Sequence, residues 1–442
     1  MATPAGTRRI LQRAVERGLL HPGNVRHLGP PGELSCSAIG FGCYRVGGGQ
    51  HEPGHLACMR SALQAGVNLF DTSTHYSAAS QQEKAEGATH GASEALLGRC
   101  IAEAAEAGDV ARDEVIVCTK VGHVARGSKV PPGSVPVGSH KGEGGEGDDW
   151  HCIKPDFVES EVREGSKRLG FAPDFVLLHN PEYLLSHRMM EQVPIADAWD
   201  EMYESLVESF QALERLCAEG VIASGYGVST NFLSCMFSAT GRSNIYEALA
   251  LDRVVEVAEA AARREGSQKH HFRIAQLPLN AFENGAVLGR AAVVPEAAEG
   301  DCILAAKLGV AAVTNRPVNS LPLPGVGSGD WGRGQTSHLQ LRDTKPMGSL
   351  QALFKRVLTE ALKNSGVSPD RLEEVPLQQL ALRLALSAPS ACSLNGARRP
   401  AYVADVSAAL KAEPFTHDQV RQAMLSMRSA AEELGCQKGG LW

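Results

Sequence analysis

The chain has 442 residues, of which 43% are hydrophobic and 21% charged, as expected for a globular protein with a large core. Its formal net charge is −7 and it lacks a long run of Lys and Arg, which argues against nucleic acid as a partner. No apolar stretch reaches the roughly 18 residues of a membrane-spanning helix. We therefore expect a soluble protein that does not insert into a membrane.

The eleven cysteines are scattered along the chain and show no Cys-x-x-Cys spacing. This pattern is typical of reduced thiols in an intracellular protein, where most cysteines serve as small buried apolar side chains. It predicts neither a zinc site nor a redox pair, and we expect no bound metal.

Residues 1–25 contain four arginines and a single acidic residue, Glu16, and residues 8–20 fit an amphipathic helix. Two interpretations stay open: an organelle transit peptide, or a helical extension packed on the body of the protein. Glu16 and the scarcity of serine favour the packed extension. The expected location is the cytoplasm, with the chloroplast or mitochondrion as the alternative if this segment is a transit peptide.

Short β-type apolar runs alternate with longer amphipathic patterns along most of the chain. The predicted strands are 38–42, 67–71, 114–120, 174–179, 221–228, 273–279, 310–315 and 391–394. The predicted helical segments are 54–65, 92–105, 155–168, 199–219, 245–264, 297–308, 350–388 (broken) and 399–411. Eight strand–helix pairs predict an α/β protein with a closed (β/α)8 TIM barrel, rather than a doubly wound sheet, which needs fewer units.

The barrel is predicted to span residues 26–411, preceded by the N-terminal segment 1–25. A helical tail over residues 412–442, with its helix near 416–434, is expected to close the chain.

Three segments have the composition of insertions and follow predicted strand ends: 77–92, 123–152 and 319–348. Such loops lie on the C-terminal face of a barrel, where active sites are found, and could form a lid. Disorder is the favoured prediction for residues 130–150, which are rich in Gly, Lys, Glu and Asp.

Polar side chains with complementary chemistry stand at the ends of three successive predicted strands. Asp71 and Tyr76 follow the second strand, Lys120 ends the third and His179 ends the fourth. Each of them alone would be an ordinary solvated or hydrogen-bonded residue. Because the ends of neighbouring barrel strands share one face, we expect the four side chains to converge on one pocket.

A tyrosine with a pKa near 10 donates a proton at neutral pH only if its phenolate is stabilised. We predict that Lys120 lowers the pKa of Tyr76 and that Asp71 pairs with Lys120 to keep the ammonium charged and oriented. His179 is expected to orient a substrate carbonyl by a hydrogen bond. This group is suited to general acid catalysis on a carbonyl.

The sequence resembles the aldo-keto reductase family over roughly residues 26–411. FDTSTHYS contains the family's strand motif, in which Asp and Tyr are five residues apart. Further matching segments are SEALLGRCI (93–101), VIVCTK (115–120), PDFVESEVREGSKRLG (155–170), DFVLLH (174–179), GVSTNF (227–232), QLPLN (276–280) and ALRLALSAPSACSLNGARRP (381–400).

The resemblance implies that NADPH (NADP+) binds extended across the C-terminal face, without a Rossmann domain. Ser229 and Asn231 match the family's contacts to the nicotinamide amide, with Thr230 as an extra residue between them. Gln276 matches the glutamine that holds the same amide. GFGCYR at 40–45 lacks the third glycine of a dinucleotide fingerprint and is interpreted as a tight strand end.

Gly396, Arg398 and Arg399 match the glycine and cationic residues that face the adenosine 2′-phosphate in the family. The residues support this independently, because they precede a predicted helix, and helix N-termini after the last barrel strands favour phosphate. Arginines that grip the extra phosphate favour NADPH over NADH.

The sequence departs from the family pattern at two places. Asn315 and Arg316 stand where Tyr and Ser are common, so an aromatic ring that stacks on the nicotinamide is lost or replaced. The Glu and Asn expected near the adenine are replaced by Asp405 and Val406.

These patterns predict an NADPH-dependent oxidoreductase of the CH-OH class that reduces a small aldehyde or ketone, with Tyr76 as general acid. The reverse oxidation of an alcohol or sugar uses the same groups. The alternative is a catalytically weak, NADPH-sensing regulatory or scaffold subunit, which the long loops and altered cofactor residues favour. Neither the substrate nor the oligomeric state follows from the sequence.

Overall fold

A computed structural model describes residues 1–29, 33–78, 90–137, 149–231, 249–289, 300–319, 341 and 344–433. Eight parallel strands close into a barrel in chain order, which confirms the predicted (β/α)8 fold. Their bounds are β3 (Ile39–Gly42), β4 (Leu69–Asp71), β5 (Ile116–Val121), β8 (Phe175–His179), β9 (Gly225–Ser229), β10 (Phe272–Pro278), β11 (Ala311–Asn315) and β12 (Cys392–Asn395).

Helices connect the strands and surround the barrel. Those of seven residues or more are Pro4–Glu16, Glu52–Gln64, Ala92–Glu106, Pro155–Leu169, Tyr183–Met190, Ile195–Ala218, Leu251–Arg264, Asp301–Lys307, Thr344–Asn364, Leu377–Leu386, Pro400–Lys411 and His417–Glu433. The break predicted within 350–388 is confirmed, because one helix ends at Asn364 and the next begins at Leu377. Within the described part of the chain, no helix combines the length and apolar character needed to cross a bilayer.

Side chains along each strand point alternately into and out of the barrel, so the position of a residue in its strand decides which interior layer it joins. Successive residues of a strand point to opposite faces, so a residue two positions after an interior apolar one also points inward, one layer higher. The interior apolar residues Leu69, Cys118, Leu177 and Ile274 are followed in this way by Asp71, Lys120, His179 and Gln276. The polar layer at the C-terminal end of the barrel therefore continues the packed core.

A short antiparallel hairpin, not predicted from the sequence, lies at the opposite end of the barrel. It pairs β1 (Val25–Leu28) with β2 (Leu34–Ser37). Leu28, Leu34 and Cys36 are buried in the same cluster as the barrel interior, so the hairpin closes its floor.

The N-terminal helix Pro4–Glu16 packs its apolar side on the body of the protein, as the second interpretation of this segment requires. The polar side of the helix is held by ion pairs. Glu114, with 2% of its side chain exposed, accepts hydrogen bonds from Arg9 Nε at 2.7 Å and from Arg13 Nη1 at 2.6 Å. Burial raises the pKa of Glu114, but bonds from Arg13, the Ala111 amide and Arg9 outweigh it and lower that pKa to about 2.

We expect Glu114→Gln to lower the free energy of unfolding at pH 7 by about 2–3 kcal/mol, because it leaves two arginines without their buried carboxylate. A carboxylate with a lowered pKa stabilises the fold above its unfolded pKa of 4.5, and this contribution is lost as the pH falls towards 2. Urea unfolding at pH 7 and pH 3 measures both effects, and the gap between variant and wild type should shrink at pH 3. Asp113→Asn is the control, since the Arg9–Asp113 pair is more exposed and should contribute little to stability. Equal losses in both variants would contradict the role of Glu114.

The insertion over 123–152 is partly ordered above the C-terminal face. β6 (Val135–Pro136) pairs antiparallel with β7 (Trp150–His151), and His123 forms a bridge with His151. The favoured prediction of disorder is therefore wrong for 130–137 and 149–150, because backbone pairing and the Arg126–Asp149 ion pair hold these ends together. Residues 138–148 lie outside the described residues.

Much of the other two predicted insertions, 79–89 and 320–340, also lies outside the described residues. The end of the third insertion is helical, since the helix Thr344–Asn364 begins before the predicted position 350. The tail helix His417–Glu433 agrees with the predicted 416–434.

Candidate active site

Asp71 and Lys120 form a buried ion pair at the C-terminal end of the barrel. Lys120 Nζ donates to Asp71 Oδ1 and also to the Thr72 carbonyl oxygen at 3.1 Å. Lys120 is fully buried, and burial alone would lower its pKa, but the charge of Asp71 raises it. The amine therefore stays protonated inside the protein, as the sequence predicts.

Tyr76 lies beside this pair, and its Oη accepts a hydrogen bond from Lys120 Nζ at 3.4 Å. The ammonium also lies 4.8 Å from the centre of the Tyr76 ring. Burial raises the pKa of Tyr76 to about 12, although Lys120 acts in the lowering direction. Lys120 thus lowers the pKa of Tyr76 as predicted, but desolvation and the nearby Asp71 outweigh this effect and leave the net pKa raised.

His179 ends β8 on the same face, and its ring centre is 5.7 Å from that of Tyr76. Its Nδ1 lies 3.4 Å from Ser73 Oγ. Burial and the neighbouring His75 and His123 hold the pKa of His179 well below its ordinary value. The imidazole is therefore neutral at pH 7 and bears one N–H. The structure brings all four residues of the predicted group together.

Gln276 links this group to a second polar cluster. Its Nε2 donates to Asp71 Oδ2 at 2.8 Å, and its Oε1 accepts from Ser229 Oγ at 2.9 Å. The register explains the proximity, because Ser229 pairs with both His179 and Gln276 on adjacent strands. The sequence identified Gln276 and Ser229 but did not indicate their connection to Asp71.

Asn231 and Arg316 are joined across the same rim. Arg316 Nη2 donates to Asn231 Oδ1 at 2.6 Å, while the Asn231 amide donates to Glu182 Oε1 at 3.0 Å. The backbone of Arg316 has a φ of 62°. Its Nη1 lies 3.5 Å from Glu283 Oε1. Arg316, which stands where Ser is common in the family, therefore brings a guanidinium to the side-chain amide of Asn231.

Asn315 packs against the Ser229–Gln276 cluster. Its Nδ2 donates to Gln276 Oε1 at 3.3 Å. Its Oδ1 is buried and has no hydrogen-bond partner among the described residues. Such an acceptor suits an amide donor from a bound molecule.

A patch of positive charge lies beyond β12. Arg399 is the N-cap residue of the helix Pro400–Lys411, and burial together with Arg45 and Arg399 lowers the pKa of Arg398. None of these three arginines forms an ion pair with a carboxylate in the described part of the chain. A Cβ on Gly396 would meet only the Gly42 oxygen, at 3.8 Å, so the glycine leaves room beside the backbone. The patch could hold a phosphate.

Asp405 and Val406 face inward from the same helix. Asp405 accepts a hydrogen bond from Gln379 Nε2 at 3.0 Å, and Val406 is 2% exposed within the core. Their side chains therefore serve packing between helices.

Histidines that the sequence reasoning did not single out surround His179. The ring centres of His75 and His123 are 3.9 Å apart, and they lie 5.0 and 5.1 Å from that of His179. His151 lies behind them, with Nε2 2.6 Å from the His179 carbonyl oxygen. Burial lowers the pKa of His123 to about 4 and that of His151 to about 3. The sequence does indicate this grouping, since His75 and His123 follow the same strand ends as Tyr76 and Lys120.

Comparison with known proteins gives a partial match to one family and a similar fold. Residues 38–245 match the model of the aldo/keto reductase family. No curated protein sequence matches the chain. The structure of the glycerol dehydrogenase from Gluconobacter oxydans is similar, with 18% identity and a TM-score of 0.51, over 94% of this chain and 95% of that chain.

Two further solved structures match the chain with lower TM-scores. The holo form of an aldo-keto reductase from Bacillus halodurans is 21% identical, with a TM-score of 0.49, over 91% of this chain and 96% of that one. An aldo/keto reductase from Klebsiella pneumoniae, in complex with NADP and acetate, is 16% identical, with a TM-score of 0.49, over 92% and 95%.

Proposed function

Since residues 38–245 of this chain match the model of the aldo/keto reductase family, we propose that it reduces the carbonyl group of a small aldehyde or ketone with NADPH. The observation that carries the proposal is the position of Lys120 Nζ, which contacts both the Asp71 carboxylate and the Tyr76 hydroxyl. This arrangement supports a phenol that releases its proton in a site with little water. The reverse oxidation of an alcohol requires the same groups.

The proton is assigned to Tyr76 Oη, which acts as the general acid towards the carbonyl oxygen. When the phenol has released the proton, the ammonium of Lys120 faces the phenolate and stabilises it. Asp71 keeps that ammonium charged and in place through the buried pair. The charges of Lys120 and Asp71 are thus in place before the reaction begins, which lowers the free energy of the transition state.

His179 is assigned to orienting the substrate. If the Ser73 hydroxyl donates to Nδ1 of this neutral ring, the ring proton resides on Nε2 and can be donated to the carbonyl oxygen. His179 and Tyr76 would then both donate hydrogen bonds to the carbonyl oxygen of the substrate. A hydrogen bond from a neutral imidazole positions the carbonyl without competing as an acid.

The residues of the rim fit NADPH. Ser229, Asn231 and Gln276 would hold the nicotinamide amide, and the unpartnered Asn315 Oδ1 adds an acceptor beside Gln276. When bound there, NADPH supplies the hydride that the carbonyl carbon receives.

Gly396, Arg398 and Arg399 would hold the 2′-phosphate at the start of the helix Pro400–Lys411. Arg45 adds a third positive charge to this patch. The absence of a carboxylate partner for these arginines among the described residues supports an anionic ligand.

The proposal is tested by following NADPH oxidation with a panel of aliphatic, aromatic and sugar-derived carbonyls, and NADP+ reduction with the matching alcohols. We expect equimolar loss of NADPH and of at least one carbonyl compound. NADPH binding by the folded protein is measured in parallel by calorimetry. Binding without turnover across the panel would contradict the enzyme assignment and support a nucleotide-sensing subunit instead.

A further inference from the structure

Three imidazoles converge above the proposed proton donor. One ring nitrogen from each of His75, His123 and His179 lies within 4.8 Å of the others. They come from the ends of three neighbouring barrel strands, so the scaffold fixes their approach. Three ring nitrogens around one metal ion, with metal–nitrogen bonds near 2.0–2.1 Å, are separated by about 3.3 Å. Small rotations of the side chains would bring the nitrogens to that separation.

The three rings are in a suitable state to offer lone pairs. Three protonated imidazoles at ring-centre distances of 3.9 to 5.1 Å would repel one another, which favours their neutral forms. The charge of Lys120, which acts on His179, is balanced by Asp71. Asp149, the acidic group that faces His123, is paired with Arg126.

Ser73 provides the outer hydrogen bond that metal-bound histidines require. Its Oγ donates to the Lys120 carbonyl oxygen at 3.2 Å and lies 3.0 Å from His75 Nδ1 and 3.4 Å from His179 Nδ1. In that arrangement the oxygen accepts N–H bonds from both rings. Nε2 of both His75 and His179 then carries a lone pair.

We propose that His75, His123 and His179 bind one divalent transition-metal ion, of which Zn²⁺ is the representative, at the substrate end of the pocket. A set of three imidazoles selects zinc and its neighbours in the first transition row over Mg²⁺ and Ca²⁺, which require oxygen ligands. The fourth position of a tetrahedral ion would remain open towards the pocket.

This site shares His179 with the proposed reduction, and that consequence rests on the proposed function. The metal requires a lone pair on His179, whereas orientation of the carbonyl requires a proton on Nε2. The two states differ in the direction of the Ser73 hydrogen bond. Metal and carbonyl substrate therefore exclude one another, and the ion acts as an inhibitor of reduction.

The binding test uses the full chain without a histidine tag, freed of metal by a chelator that is then removed. Co²⁺ is titrated while its visible absorption is recorded, and Zn²⁺ affinity is measured by competition with a chromophoric chelator. We expect one ion per chain and the strong visible bands of four- or five-coordinate Co²⁺. His75→Gln and His123→Gln, which leave Asp71, Tyr76, Lys120 and His179 intact, should each weaken Zn²⁺ binding by about 100-fold or more, and Ser73→Ala by about 10-fold.

His27→Gln is the matched control, because His27 is an exposed histidine on β1 at the floor of the barrel. Its Zn²⁺ affinity should equal that of the wild type. Circular dichroism confirms that each variant is folded. Absence of Zn²⁺ binding by the wild type, or equal binding by the wild type and both site variants, would overturn the proposal.

Inhibition is measured separately by varying Zn²⁺ and carbonyl concentration together. Competitive inhibition of the wild type that is lost in His123→Gln would support mutual exclusion. Zn²⁺ binding that leaves wild-type turnover unchanged would overturn exclusion but not the site. If the wild type binds Zn²⁺ and shows no turnover at all, the proposed reduction fails while the metal site stands.

Discussion

Replacing Tyr76 with Phe is expected to lower kcat for carbonyl reduction by about 10³-fold, the usual contribution of a positioned general acid. The variant keeps the ring, which packs edge-on against His75 and His179, and removes only the hydroxyl that Lys120 contacts. The loss should therefore appear in kcat, with little change in Kd for NADPH. Steady-state kinetics on a carbonyl that the wild type reduces, together with calorimetric binding of NADPH, measures both quantities.

Tyr44→Phe is the matched control for that prediction. Tyr44 lies 5.3 Å from Tyr76, ring centre to ring centre, but its side chain is 46% exposed, and it has no part in the proposed proton transfer. We expect its kcat to stay within a few-fold of the wild-type value. If Tyr76→Phe retains most of the activity while Tyr44→Phe loses it, the general acid has been assigned to the wrong phenol.

The second large effect is expected at the patch of positive charge beyond β12. Arg398→Gln should weaken NADPH binding by about 10–100-fold and leave NADH binding nearly unchanged, because only NADPH carries the 2′-phosphate. Arg45 and Arg399 remain in the variant, so some preference for NADPH should persist. Calorimetric Kd values for both nucleotides give the ratio directly.

Arg17→Gln is the control for charge alone, because Arg17 is an exposed C-cap residue of the N-terminal helix. It changes the net charge by the same amount and should leave both Kd values unaffected. A parallel loss of NADPH and NADH affinity in Arg398→Gln would show that the arginine does not face the 2′-phosphate. Equal effects of Arg17→Gln and Arg398→Gln would indicate a general electrostatic contribution.

The barrel and the convergence of the four polar side chains were predictable because both depend on local periodicity. The strands are short apolar runs. In several of them, the residue two positions beyond an interior apolar residue is polar, as in Leu69 to Asp71 and Leu177 to His179. A closed parallel barrel then requires that such positions meet on one face. The inference needed no knowledge of how the side chains contact one another.

Features that depend on contacts between distant residues were not predictable. The bond between Gln276 and Asp71 joins residues 205 positions apart. The net pKa of Tyr76 is decided by how completely its surroundings exclude water, which the spacing of Tyr76 and Lys120 does not reveal. His75 and His123 follow predicted strand ends, but the contact between their rings depends on the paths of two separate loops.

The hydrogen bonds of Gln276 connect the proposed nucleotide site to the proposed proton donor. One amide contacts Ser229, where the proposed nucleotide would be recognised, and Asp71, which holds the cation beneath the phenol. An engineer who alters Gln276 to change nucleotide preference would also disturb the acid strength of Tyr76. Selection on either property constrains the other through a single side chain.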